Sequence, residues 1–190
     1  SRRVNYFKCE KPYIRSSVEF CGVCNGACVC VCTQAVALCR YLEKNREQVD
    51  LLDKAVLELA AGTGLVSIVA SLLGAWVTAT DLPNVQSNLN FNLSRNTPQE
   101  AALVWGQDGK HVIYHHNFLD DLLITMQYFC KPGTTLLWAN KVRFQSDLRF
   151  IENFKNVFNV TLLEEIPQEE IRIYHYTFIL KKSVTNKKTY

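Results

Sequence analysis

The stretch Val56-Leu57-Glu58-Leu59-Ala60-Ala61-Gly62-Thr63-Gly64-Leu65-Val66-Ser67-Ile68-Val69-Ala70 constrains this chain more than any other. Residues 56–59 form a short apolar run, the pattern of a strand buried on both faces of a parallel sheet. Residues 60–64 are all small. From Leu65 onward, Leu65, Ile68, Val69 and Leu72 recur at helical spacing. Strand, glycine turn and helix in this order open an α/β nucleotide-binding unit, in which helix N–H groups and bare backbone face a ligand.

The glycine spacing narrows the choice. A dinucleotide fold asks for G-x-G-x-x-G, and no third glycine follows Gly62-Thr63-Gly64. A phosphate-cradling loop needs Gly-Lys-Ser/Thr, which is absent. Instead an acid, Glu58, stands near the end of the strand. The next unit, Gly74-Ala75-Trp76-Val77-Thr78-Ala79-Thr80-Asp81, reads as a helix stop followed by a second strand that also ends in an acid. Asp81 lies 17 residues after Gly64, close to where α/β cofactor folds place a ribose-binding carboxylate. It also stands where it can cap the helix that opens at Pro83, and the two roles are compatible.

The remaining chain alternates in the same α/β manner. Helices are predicted over residues 35–45, 83–92, 118–129 and 146–158, and strands over 101–105, 134–139, 160–163 and 171–180. Asn88, Asn90, Asn92 and Asn96 read as cap and solvent residues of the second helix, with Val85, Leu89 and Leu93 inward. In the helix 146–158 the inward set is Leu148, Ile151, Phe154 and Val157. With 190 residues, 48% of them hydrophobic, there is material for one domain with a real core. A net charge of +3 without a long basic block argues against a dedicated nucleic-acid binder. No run of eighteen apolar residues occurs, so no membrane span is expected, and the N-terminal stretch is a poor signal peptide.

Five of the eight cysteines fall in Cys21-Gly22-Val23-Cys24-Asn25-Gly26-Ala27-Cys28-Val29-Cys30-Val31-Cys32. Cys21-x-x-Cys24 has a zinc half-site spacing, but Cys28-x-Cys30-x-Cys32 puts thiols on one face of an extended chain rather than around a tetrahedron. No metal site is expected, and without secretion the thiols should be reduced. Cys-Val alternation is low complexity, of the kind a TG dinucleotide repeat encodes. The expectation is that residues up to about 34 derive from non-coding sequence.

Taken with Thr78-Ala79-Thr80-Asp81-Leu82-Pro83, Leu103-Val104-Trp105-Gly106, Tyr114-His115-His116 and Leu136-Leu137-Trp138-Ala139-Asn140-Lys141, the stretch 57–70 resembles the seven-strand S-adenosylmethionine-dependent methyltransferases. More narrowly it resembles the muscle-associated branch of the methyltransferase-like 21 group of protein-lysine methyltransferases. The resemblance covers residues 35–180, leaving 1–34 as an irregular Cys-rich segment and 181–190 as a basic tail. It implies a three-layer αβα Rossmann-like sandwich. It also implies S-adenosylmethionine as cofactor and methylation of a lysine on a protein substrate of the chaperone or ATPase class. A monomer in the cytoplasm, the nucleus or both is expected, with no nucleic-acid or membrane partner. Gly62, Gly64 and Asp81 would form the cofactor cradle, with Glu58, Ala60 and Ala61 around it and Trp105 against the adenine. Tyr114 would line the lysine channel as the catalytic candidate.

Four departures fall on that one site. Cys32 stands where the family has a cofactor-covering tryptophan, and Ala60 where it usually has glycine. His111 replaces an acid, and the central fourth strand before Tyr114 is shortened or missing. They keep a second reading open: a catalytically inactive remnant that binds cofactor or protein, or a pseudogene-like product.

Overall fold

The computed structural model describes residues 5–7, 18–20, 23–24, 27–28, 32–81, 83–97, 102–104, 119–141 and 145–178. Two short hairpins come first, pairing β1 (Asn5–Phe7) with β2 (Val18–Phe20) and β3 (Val23–Cys24) with β4 (Ala27–Cys28). The α/β body follows as α1 (Thr33–Lys44), α2 (Arg46–Val49), β5 (Ala55–Leu59), α3 (Leu65–Leu72), β6 (Trp76–Asp81), α4 (Pro83–Asn96) and β7 (Ala102–Val104). It continues with α5 (Leu119–Phe129), β8 (Thr135–Lys141), α6 (Gln145–Lys155), β9 (Phe158–Ile166) and β10 (Ile171–Phe178). No described helix is long and apolar enough to cross a membrane.

Two three-stranded sheets result. Strands β5, β6 and β7 are parallel with β6 in the middle; β8, β10 and β9 are antiparallel with β10 in the middle. Helices lie on both faces. Ile171 and Ile173 of β10 pack against Ala37 of α1, whereas Tyr174 and Tyr176 turn to the opposite face and join Met126 and Cys130 of α5 and Phe150 and Phe154 of α6. The alternation of side chains along a strand accounts for this division. Strand β10 is therefore covered on both faces. Where Ile173 pairs with Glu164 and Tyr174 with Leu162, β9 carries an extra residue, Leu163, as a bulge. Helix α1 ties the two sheets together. Its Cys39 packs with Leu65, Ile68 and Val69 of α3 while Ala37 meets β10. From the other face, Leu59 of β5 leans on the aromatic cluster around Trp138.

Several side chains sit differently from the sequence pattern. None of the residues of β5 is buried, and Leu57 is 39% exposed. The reason is pairing: among the described residues β5 has only β6 beside it, and β8 only β10. The interval between Trp105 and Tyr114, where a shortened or missing fourth strand is expected, lies outside the described residues. Leu72, at the end of α3, is exposed instead of inward. In α6, Leu148 is exposed and Phe150, two positions on, is buried instead. Asn88 and Asn92 are corrected most sharply, because both are buried in the face of α4 that carries Leu89 and Leu93.

Candidate functional site

The C-terminal ends of β5 and β6 and the start of α3 meet in one tight loop. Leaving β5, the backbone turns at Ala60 (φ +58°), again at Gly62 (φ +58°) and a third time at Gly64 (φ +82°), which caps α3. Strand β6 fastens the loop. Ala61 N–H donates to the Thr80 carbonyl at 3.0 Å, and Thr80 Oγ1 donates to the Glu58 carbonyl at 2.8 Å. Gly62 N–H donates to Asp81 Oδ2 at 2.5 Å. From the other side Asn92 Nδ2 donates to the Thr63 carbonyl at 2.9 Å. Asn92 was missed by the sequence pattern, yet its spacing to Leu89 and Leu93 places it on the same helix face.

The two glycines do different work. A Cβ on Gly64 would come within 2.8 Å of Leu89 Cδ1, so glycine there permits close packing of α4 on the loop. A Cβ on Gly62 would meet nothing within 4 Å. Bare backbone thus borders open space beside a carboxylate at the C-terminal ends of two parallel strands, which is the place α/β sheets reserve for ligands. The residues present fit an adenosyl cofactor: an acceptor for ribose hydroxyls at Asp81 and close backbone approach at Gly62. Trp105 and Tyr114, the candidates for adenine and lysine contacts, lie outside the described residues, as does His111.

Ala60 holds a left-handed conformation that costs a side-chain-bearing residue on the order of 1–2 kcal/mol. Ala60→Gly is expected to raise stability by about 1 kcal/mol, seen as a thermal midpoint roughly 2–4 °C higher. Cys32, exposed at the start of α1, serves as its N-cap, with Sγ accepting the Ala35 N–H at 3.4 Å.

Glu58 turns toward α3. One carboxylate oxygen, Oε2, accepts both the Ser67 N–H, at 2.9 Å, and the Ser67 hydroxyl. Burial of the carboxyl raises its pKa from 4.5 to about 7, helped by the negative charge of Asp81 and opposed by the Ser67 hydrogen bonds. The folded value lies above the unfolded one, so the fold holds a proton that the unfolded chain has already released. Glu58's contribution to stability is full below about pH 4.5 and is lost as pH rises through about 7. Glu58→Gln keeps an oxygen for Ser67 and cannot ionise. Relative to this variant, the parent chain is expected to lose on the order of 2 kcal/mol between pH 5 and 8, measured as the gap between their unfolding midpoints.

The sequence matches the lysine methyltransferase family over residues 22–157. It is 41% identical over 174 residues to the protein-lysine methyltransferase METTL21E of Bos taurus, covering 80% of this chain and 59% of the bovine one. A Homo sapiens sequence named for a methyltransferase-like protein 21E pseudogene is 42% identical over 174 residues, covering 80% of this chain and 64% of that sequence. The chain therefore spans about three fifths of the length of these relatives. In fold it is similar to the fibrillarin of Aeropyrum pernix, solved with natively bound S-adenosyl-L-methionine. The TM-score there is 0.57 at 13% identity, covering 74% of each chain.

Proposed function

This chain belongs to the lysine methyltransferase family, and from that premise we propose that it binds S-adenosylmethionine and methylates a lysine of a protein substrate. The observation that carries the reading is the clasp of Gly62 N–H on Asp81 beside the open space at Gly62. Asp81 would take the ribose hydroxyls, and the backbone at Gly62 would lie against the amino-acid end. Glu58, through Ser67, and Asn92, through Thr63, hold the loop in shape from behind. The cofactor supplies a methyl group made electrophilic by the adjacent sulfonium. What remains for the protein is to hold a neutral lysine in line with that methyl and to keep water out. The sequence resemblance supports a substrate of the chaperone or ATPase class.

A second reading, a silent cofactor-binding remnant, is favoured by the left-handed Ala60 and the uncovered Leu57. Thermal unfolding with and without S-adenosylhomocysteine tests the cradle. At about 100 times the dissociation constant, binding should add roughly 2.7 kcal/mol. Transfer of labelled methyl to lysines of purified chaperones then separates the two readings: incorporation supports the enzyme, a ligand shift without incorporation supports the remnant, and no shift sinks both.

A further inference from the structure

Helix α4 carries two asparagines one turn apart on the face that meets the glycine loop. Asn92, with no exposed surface, is matched to the Thr63 carbonyl. Asn88 is only 3% exposed, and neither its amide oxygen nor its amide nitrogen finds a hydrogen-bond partner among the described residues. The neighbouring Leu89 and Leu93 are the side chains that close on Gly64. This face of α4 therefore runs along the loop. Because α4 opens at Pro83, just after Asp81, Asn88 stands one turn nearer the Asp81 end than Asn92 does.

A buried amide with no partner is uncommon, because hydrogen-bonding groups withdrawn from water are nearly always matched. A leucine at position 88 would fill the place without that penalty. Gln86 on the same helix also has an unpartnered buried Oε1, but its Nε2 donates to Asn90 Oδ1 at 3.2 Å and its direction around the helix differs. A donor would complement the acceptor at Asp81. Ionised Asp81 can only accept, so ribose hydroxyls that donate to it keep lone pairs to be satisfied.

We propose that Asn88 is a further ligand-binding residue of this cradle, its side-chain amide hydrogen-bonding the adenosyl half of the cofactor between Asp81 and the glycine loop. The inference rests on the cofactor reading above. Its test uses the full chain and S-adenosylhomocysteine as the probe, with the dissociation constant measured by calorimetry well below each protein's unfolding midpoint. N88L removes the amide at similar volume. N88D keeps the shape and loses the donor, and serves if N88L fails to fold. The expected result is affinity about tenfold weaker in both variants, with the ligand-free midpoint of N88L at or above that of the parent chain. Affinity within about threefold of the parent value in the folded variants would overturn the assignment, whatever their stability. A parent chain that binds no S-adenosylhomocysteine would overturn the cofactor reading itself and this inference with it, an outcome distinct from parent binding that the variants leave intact.

Discussion

Replacing Phe154 of α6 with alanine is expected to remove about 4 kcal/mol of stability, the largest loss of any single truncation in the aromatic cluster against the antiparallel sheet. Phe154 has no exposed surface. Its ring lies 4.6 Å from Tyr176, 4.8 Å from Phe158, 5.3 Å from Phe150 and 5.5 Å from Trp138, measured between centroids. Those four rings come from β10, β9, α6 and β8, so one truncation leaves a cavity where four elements meet. Rings around such a void cannot collapse without leaving their rotamers, and the cost is the transfer energy plus the cavity term. Domains of this size are stable by roughly 5–15 kcal/mol, and the thermal midpoint should fall by about 8–16 °C. The cradle should feel it as well, because Leu59, at the end of the strand that enters the glycine loop, leans on the same cluster. Denaturant unfolding followed by near-UV and far-UV signals checks both points: a lower midpoint with an unchanged slope is expected. A shift under about 1 kcal/mol would mean that the cluster is not a cooperative core.

What could be read from the chain alone follows from how local each signal is. The glycine turn and Asp81 declare themselves because a turn with φ > 0 and a strand-end acid are encoded within a few residues. The strain at Ala60 was foreseeable for the same reason, once the turn was recognised. Coverage of a strand is another matter, since it depends on which strands lie beside it. The apolar run 56–59 promised burial on both faces, yet Leu57 stays exposed on a strand that, among the described residues, is paired on one side. Asparagine type suggested solvent for Asn88 and Asn92, whereas their position on the helix face of Leu89 and Leu93 buries them. Polar residues on an apolar helix face mark a partner, and Asn92 finds one in a carbonyl 29 residues away in sequence.

Asp81→Ala is expected to weaken S-adenosylhomocysteine binding by about 100-fold or more. Asp81 is 6% exposed and holds Gly62 N–H through Oδ2. As the proposed ribose acceptor it would make charge-assisted hydrogen bonds, each worth roughly 1.5–3 kcal/mol. Losing two of them gives the 100-fold figure on the low side, since 1.4 kcal/mol is a factor of ten. Alanine also releases the glycine turn, so part of the loss would come from a loop no longer fixed in its binding shape. Asp81→Asn separates the two effects. Its amide oxygen can still accept from Gly62 and hold the turn, while the negative charge is gone. The asparagine variant is therefore expected to unfold close to the parent temperature and still bind about tenfold or more weakly. A second signature should accompany it. The charge of Asp81 adds the smallest part of the rise in the Glu58 pKa, which burial dominates, so in Asp81→Asn the pH at which stability is lost should move down slightly. If Asp81→Asn binds the ligand as the parent does, the carboxylate serves the loop alone and the ribose role falls. If binding is lost with no movement of the pH profile, Asp81 acts on the ligand without being felt by Glu58, and the two acids on adjacent strands are independent.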